Sequence, residues 1–240
     1  MGNKDQCIFF DLDGTLTSVN RRYAKVLEDV ATTLGFKEKI NYSQYYKFQR
    51  RGLSGVEILT KILGNKELAQ ASDKMRIERL VEPCMRQLDT LLPRVKESLD
   101  KLGRQYEIIV ITVDKLLPHI IQEQLESLSV AHKVDRIYSA YDYRRSGLKP
   151  ESIKAKIITQ HIQLARSDLQ RSFVVGDAET DVRAAKICKL ISVAVLTGIR
   201  GKRFLEHEKA DIIVKDVSKI PDALDSIKRL KFKEMNRTLA

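Results

Sequence analysis

The sequence predicts an α/β fold, a parallel sheet flanked by helices with an all-helical unit inserted after the first strand. Three observations predict it. A short, wholly apolar run, Cys7-Ile8-Phe9-Phe10, stands near the N-terminus with no polar residue to face water, as a strand buried on both faces requires. From Ile108 onward, β-rich runs alternate with amphipathic helical stretches, the rhythm of a parallel sheet covered by helices. Between them, from about Ser18 to Asp89, apolar residues recur only at helical spacing.

Cys7 to Phe10 is the first strand. Three helical stripes follow: Tyr23, Val26, Leu27, Val30, Ala31 and Leu34; then Val56, Leu59, Ile62 and Leu63; then Ile77, Leu80, Val81, Cys84, Met85 and Leu88. Leu91-Leu92-Pro93 marks the return to the sheet, because proline ends a helical run. Ile108 to Thr112 is the next strand, followed by a helix around Pro118 to Leu128, a strand at Arg136 to Ser139 and a helix from Glu151 to about His161. Phe173-Val174-Val175 leads through Gly176-Asp177 into a helix around Thr180 to Cys188, and Ile191 to Val195 and Ile212 to Val214 follow as strands. The predicted division is a sheet core of residues 1–17 and 90–240 and a helical unit of residues 18–89.

A chain of 240 residues with 43% hydrophobic content suits one sizeable core and a smaller second unit. Lys and Arg outnumber Asp and Glu by 43 to 32, a formal charge of +11 that suits an anionic ligand. The excess is spread out, with Arg21-Arg22, Arg50-Arg51, Arg144-Arg145, Arg200 to Arg203 and Lys228 to Arg237 its densest stretches. Aromatics make up 6% and Trp is absent, which argues against a stacking platform for single-stranded nucleic acid. Cys7, Cys84 and Cys188 are odd in number and widely spaced. They read as buried thiols in a reducing, cytoplasmic setting, not as a disulfide framework or a zinc site. No apolar stretch approaches the length of a membrane span and no basic-then-apolar signal opens the chain, so no membrane partner is expected.

Asp11-Leu12-Asp13-Gly14-Thr15 sets two carboxylates just past the first strand, where open α/β sheets build ligand sites. Two acids there repel unless something positive stands between them. A divalent ion would serve, or a substrate that gives one acid a proton-transfer role while the other attacks. A calcium loop is excluded, because Leu16 and Arg22 stand where that loop needs glycine and glutamate.

Other strand ends offer partners. Thr112 closes the second apolar strand, and its hydroxyl with the following backbone amides suits phosphate oxygens. Lys149, in Gly147-Leu148-Lys149-Pro150, sits before a helix, where a fixed cation would neutralise an anionic substrate and an acidic nucleophile together. Asp177 and Asp181 follow another strand and offer oxygen ligands to a hard metal. Acid pair, hydroxyl, cation and acid pair thus fall in order at four strand ends.

With these motifs the chain, from Phe9 to about Asp222, resembles the haloacid dehalogenase superfamily, in its phosphatase branch with a helical cap. It is most similar to phosphoglycolate-phosphatase-like members through Asp11 to Leu16, Gly147 to Glu151 and Val175 to Asp181. The resemblance implies a Rossmann-like catalytic core with an all-helical cap domain. It implies that Asp11 attacks phosphorus to give an aspartyl-phosphate, and that Asp13 protonates the leaving oxygen and then activates water. It implies Mg²⁺ held by Asp11, the Asp13 backbone carbonyl and Asp177, with Asp181 ligating through water or supporting the set. Thr112, the Val113 amide and Lys149 would hold the phosphoryl oxygens of a small phosphorylated metabolite. Asp13 favours a phosphatase or phosphomutase, since dehalogenases need no leaving-group acid.

Two departures stand out. Thr112 is followed by Val113-Asp114 where such phosphatases often carry Asn, which loses a side-chain contact and adds a negative charge; and Pro93-Arg94 replaces a common Pro-Gly. In the cap, Gln49 to Gly55 is similar to a substrate-specificity loop, with Arg51 and Ser54 as candidates and Arg51 the better choice for a second anionic group. Arg21 and Arg22 are weaker candidates. The alternatives are a phosphomutase of the β-phosphoglucomutase type, or a weakly catalytic regulatory or binding member of the fold. Monomer and homodimer are both open.

Overall fold

The structure is a computed structural model that describes residues 5–36, 40–165 and 171–227. Six parallel strands form one sheet in the order β5-β4-β1-β6-β7-β8, with β1 at Cys7–Phe10, β4 at Glu107–Thr112, β5 at Arg136–Ser139, β6 at Phe173–Gly176, β7 at Ile191–Val195 and β8 at Ile212–Val214. The chain leaves β1 toward β4 and β5, then crosses back to β6 on the other side. The carboxyl end of β1 therefore lies at the switch in strand order, where a crevice opens.

Alternation along β1 explains its apolar run. Ile8 and Phe10 join a core with Leu99, Leu102, Ile121 and Leu125 on one face, while Cys7 and Phe9 pack with Ile153, Ile157, Ile158 and Ala184 on the other. Both faces are covered, the first by α6 (Val95–Leu102) and α7 (Pro118–Ser127), the second by α8 (Pro150–Ala165) and α9 (Glu179–Ile187). Each fully buried large apolar side chain stabilises by about 1.5–3 kcal/mol, so no strand position near the centre tolerates a polar residue cheaply.

Two short strands, β2 (Thr17–Ser18) and β3 (Thr90–Leu91), pair antiparallel beside the sheet. Between them run α1 (Asn20–Thr33), α2 (Tyr42–Gln49), α3 (Gly55–Leu63), α4 (Lys66–Leu80) and α5 (Pro83–Arg86). These helices have apolar clusters of their own, one around Leu27, Tyr45, Ile58 and Leu59 and one around Val26, Val30, Leu80 and Met85. Ser54 and Glu57 form a reciprocal capping box at the start of α3, and Gly64 ends it in the left-handed conformation.

The structure departs from expectation in three places. The third stripe breaks at Val81-Glu82 into α4 and α5, and Ile77 is 54% exposed, because α4 buries Ser72, Asp73 and Arg76 instead. Helix α2 lacked a clear apolar stripe, since Tyr42, Tyr45 and Tyr46 supply its contacts. Arg94 adopts a left-handed φ of 62°, which explains why glycine suits that position; for a residue with a side chain this costs about 1–2 kcal/mol. No helix among the described residues is long and apolar enough to cross a membrane. The basic stretch Lys228 to Arg237 lies outside the described residues.

Candidate active site

The carboxyl ends of β1, β4 and β6 stand side by side, and Asp11, Asp13, Thr112 and Asp177 line one pocket of about 210 Å³ with Lys154 and Asp181. Sheet register does the placing. Phe10 pairs with Val110 and Val175, so the residues after these strands emerge together, and the Asp11 amide donates to the Val175 carbonyl at 2.8 Å.

Glycines make room for the acids. Gly14 turns at φ 82°, and a Cβ there would fall 2.8 Å from the Asp177 carboxylate; a Cβ on Gly198 would fall 1.8 Å from it. Asp177 then accepts the Ile199 amide at 2.6 Å, and Asp181, inside the first turn of α9, accepts the Ala178 amide at 3.2 Å.

The carboxylates of Asp11, Asp177 and Asp181 present oxygens all within 4.8 Å of one another. Lys154 donates to Asp11 at 2.5 Å and also to Asp181. Burial pushes Asp11 well above the usual carboxylate range; Lys154 opposes this, and Asp181 and Asp177 add to it. Asp177 is pushed up to about 7 by burial, with Asp181 second. Burial pulls the Lys154 ammonium toward its neutral form, and Asp11 and Asp181 more than offset this and hold it charged.

Lys149, expected to be this cation, is not brought to the site. It is exposed, and its backbone carbonyl accepts the Ser152 and Ile153 amides at the start of α8. The reason is helical phase: Lys149 precedes Pro150 outside the helix, whereas Lys154 lies on the face of α8 that packs on the sheet with Ile153, Ile157 and Ile158. A lysine inside that apolar stripe was the available signal.

Asp13 has different neighbours. Arg22, 1% exposed on α1, pairs with its carboxylate, donates to the Leu80 carbonyl at 2.9 Å, and sets Nε 3.1 Å from Asp89 without hydrogen-bond alignment. Arg86, buried on α5, lies 3.7 Å from Asp13 and 2.5 Å from Asp114. Gln124 accepts from Arg86 and donates to Asp89 at 2.9 Å. Burial pushes Asp13 upward, but Arg22 and Arg86 outweigh it and hold the carboxyl below its usual range. The charge that Asp114 adds thus meets a counter-charge from the helical segment, while burial and then Asp13 push Asp114 up.

Thr112 is buried and accepts the Asp114 amide at 3.1 Å, which leaves its hydroxyl proton directed elsewhere; Val113 lines the pocket beside it. Arg51 and Ser54 do not line the pocket. Ser54 is engaged as the α3 cap, and Arg51 opens on a separate cleft with Lys202, Arg203 and His207. Arg21 is exposed, whereas Arg22, Arg86 and Tyr23 are the contributions of the helical segment.

A family profile described as haloacid dehalogenase-like hydrolase matches residues 8–195. A search of curated protein sequences finds no match. Among solved structures, a haloacid dehalogenase-like family hydrolase from Streptococcus pneumoniae is 19% identical with a TM-score of 0.70, covering 92% of this chain and 98% of its own. A predicted phosphoglycolate phosphatase from Haemophilus somnus is 18% identical with a TM-score of 0.68, at 92% and 98% coverage. A protein provisionally designated a β-phosphoglucomutase, from Thermotoga maritima, is 18% identical with a TM-score of 0.63, at 92% and 99%. With the profile spanning most of its length and the fold shared, this chain belongs to the haloacid dehalogenase-like hydrolases.

Proposed function

We propose that the protein is a Mg²⁺-dependent phosphatase that hydrolyses a small phosphorylated metabolite through an aspartyl-phosphate on Asp11. The observation that carries this reading is the buried Lys154 bridging Asp11 and Asp181 beside Asp177. Three carboxylates against one ammonium leave an excess of two negative charges when all are ionised, and their oxygens are hard donors. That set suits a divalent ion, with Asp11, Asp177 and the Asp13 carbonyl as ligands and Asp181 in support. When bound, the ion would supply charge neutralisation for the phosphoryl group.

The chain's own residues do the rest. Lys154 orients the Asp11 carboxylate as nucleophile and, with the Thr112 hydroxyl and the Val113 amide, holds phosphoryl oxygens. Asp13, paired with Arg22, is a hydrogen-bond acceptor suited to take a proton from water as the acyl-phosphate is hydrolysed; to protonate a leaving oxygen first, it must loosen from Arg22. The helices between β2 and β3 act as the cap. Arg50 and Arg200 tie them to the core, through bonds to the Gly198 carbonyl at 2.8 Å and the Gln49 carbonyl at 2.7 Å. A pocket near 210 Å³ is below the usual range for drug-sized ligands and suits a small ester.

A mutase would use the same core, and the likeness to the Thermotoga maritima protein keeps that reading alive. The test is hydrolysis of an aryl phosphate with and without Mg²⁺. Wild type should release phosphate only with the metal, and Asp11→Asn should lose activity by at least about 10³-fold. Equal rates for the two proteins would overturn the mechanism. Isomerisation of a sugar phosphate that requires a bisphosphate would favour the mutase.

A further inference from the structure

We propose that Cys7, Glu107 and His161 form a Zn²⁺ site at the end of the sheet opposite the active site, independent of the catalytic reading. The spacing of the cysteines gave no hint of it, because the three donors come from β1, β4 and α8. Register makes the site: Cys7 pairs with Glu107 across β1 and β4, so the two side chains share a face, and His161 descends onto that face from α8.

The geometry points to a metal. Cys7 Sγ lies 3.6 Å from Glu107 Oε2 and 3.7 Å from His161 Nε2, and His161 Nε2 lies 3.1 Å from Glu107 Oε2. Zinc bound tetrahedrally, at about 2.3 Å from sulfur and about 2.0–2.1 Å from nitrogen and oxygen, holds such donors roughly 3.3–3.6 Å apart. All three distances, which without an ion are direct hydrogen-bond contacts among the three groups, are within a few tenths of an ångström of that spacing. Thiolate, imidazole and carboxylate together favour zinc over a hard ion. Tyr138 sets its hydroxyl 3.0 Å from His161 Nδ1, the outer contact that fixes a ligating histidine, and Phe9 packs its ring edgewise on the imidazole. Arg136 lies 3.7 Å from the other oxygen of Glu107, Oε1, and so leaves Oε2 to the metal. Cys7 and His161 are buried, while the Glu107 side chain is 18% exposed, which gives an entry path and a place for water as fourth ligand. Binding would displace the thiol proton to solvent. It would also pin β1, which ends one residue before Asp11, and α8, which carries Lys154.

The test uses the full chain, stripped with a chelator and titrated with Co²⁺ and then Zn²⁺. The expected result is a thiolate-to-cobalt charge-transfer band that saturates with one equivalent of thiolate-bound Co²⁺, counted apart from any ion on the Asp11, Asp177 and Asp181 carboxylates, and that is abolished when Zn²⁺ displaces it. The band should survive in Asp177→Asn, whose carboxylate cluster holds no sulfur, and in Cys84→Ser/Cys188→Ser. It should vanish in Cys7→Ser, and affinity should fall tenfold or more in His161→Gln and Glu107→Gln. No band in the wild type, or a band that persists in Cys7→Ser, would overturn the proposal. If Cys7→Ser fails to fold, unchanged Co²⁺ affinity in both His161→Gln and Glu107→Gln would overturn it as well.

Discussion

Asp11 and Asp13 stand two residues apart, yet they belong to different parts of the molecule. Asp11 faces the sheet core, with Lys154 from α8 and Asp177 and Asp181 after β6. Asp13 faces the helical segment, with Arg22 from α1 and Arg86 from α5. One acid is crowded by other acids and driven upward by burial; the other is surrounded by guanidinium groups and driven down. On the proposed function, the core would supply the groups that handle phosphate, while the helical segment, through Arg22 and Arg86, sets the charge state of Asp13.

Lys154 carries the largest effect. Lys154→Met should lower kcat/KM by about 10³-fold, since it removes the cation that positions Asp11 and leaves two buried acids without it. Lys149→Met should stay within about twofold of wild type. Equal losses in the two variants would return Lys149 to the site.

Arg22→Met attacks the other half. It leaves Asp13 and the fully buried Asp89 side chain without their principal counter-charge, so the protein should lose about 3 kcal/mol of stability in urea unfolding. A loss below ~0.5 kcal/mol would mean that the pair behaves as a surface contact.

The asymmetry also explains what was legible in the sequence. Parallel strands buried on both faces must be apolar throughout, so Cys7 to Phe10, Ile108 to Thr112 and Phe173 to Gly176 stood out, and the acids at their ends with them. Lys154 was hidden because a helical stripe of Ile153, Ile157 and Ile158 reads as core, and one lysine within it passes for a surface residue. Arg86 was hidden for a different reason. Its helix is a single turn, its partner Asp114 lies far along the chain, and only packing between the helical segment and α7 brings them together. The Cys7, Glu107 and His161 cluster depends in the same way on strand register, which no spacing along the chain encodes.

A subtler test concerns Asp89, which burial pushes up to about 7 despite Arg22, with Asp13 adding to the rise. Its folded value stands above its unfolded value of about 3.9, so the folded state holds the proton more tightly. The stability it contributes is present in full below about pH 4 and is lost as pH rises through about 7. Asp89→Asn should flatten that decline, narrowing the difference in unfolding free energy between pH 5 and pH 8 by about 1–2 kcal/mol relative to wild type. An unchanged pH profile would mean that Arg22 and Arg86 offset the burial of Asp89 in full and leave its carboxyl at its unfolded value.

The smallest effects separate two neighbouring arginines of the helical segment. Arg50 donates to the Leu196 and Gly198 carbonyls at 3.2 and 2.8 Å, and Gly198 lies against Asp177, so Arg50→Ala loosens the contact that seats the helices beside the proposed metal ligands. Charged hydrogen bonds of this kind contribute about 1.5–3 kcal/mol, and activity toward a small ester should fall several-fold. Arg51, by contrast, faces a different cleft, and Arg51→Ala should leave kcat/KM within about twofold for any ester that fits the pocket. A tenfold loss at Arg51 would mean that the loop swings over the site when substrate is bound, and that the helical segment contributes a binding group as well as a charge environment for Asp13.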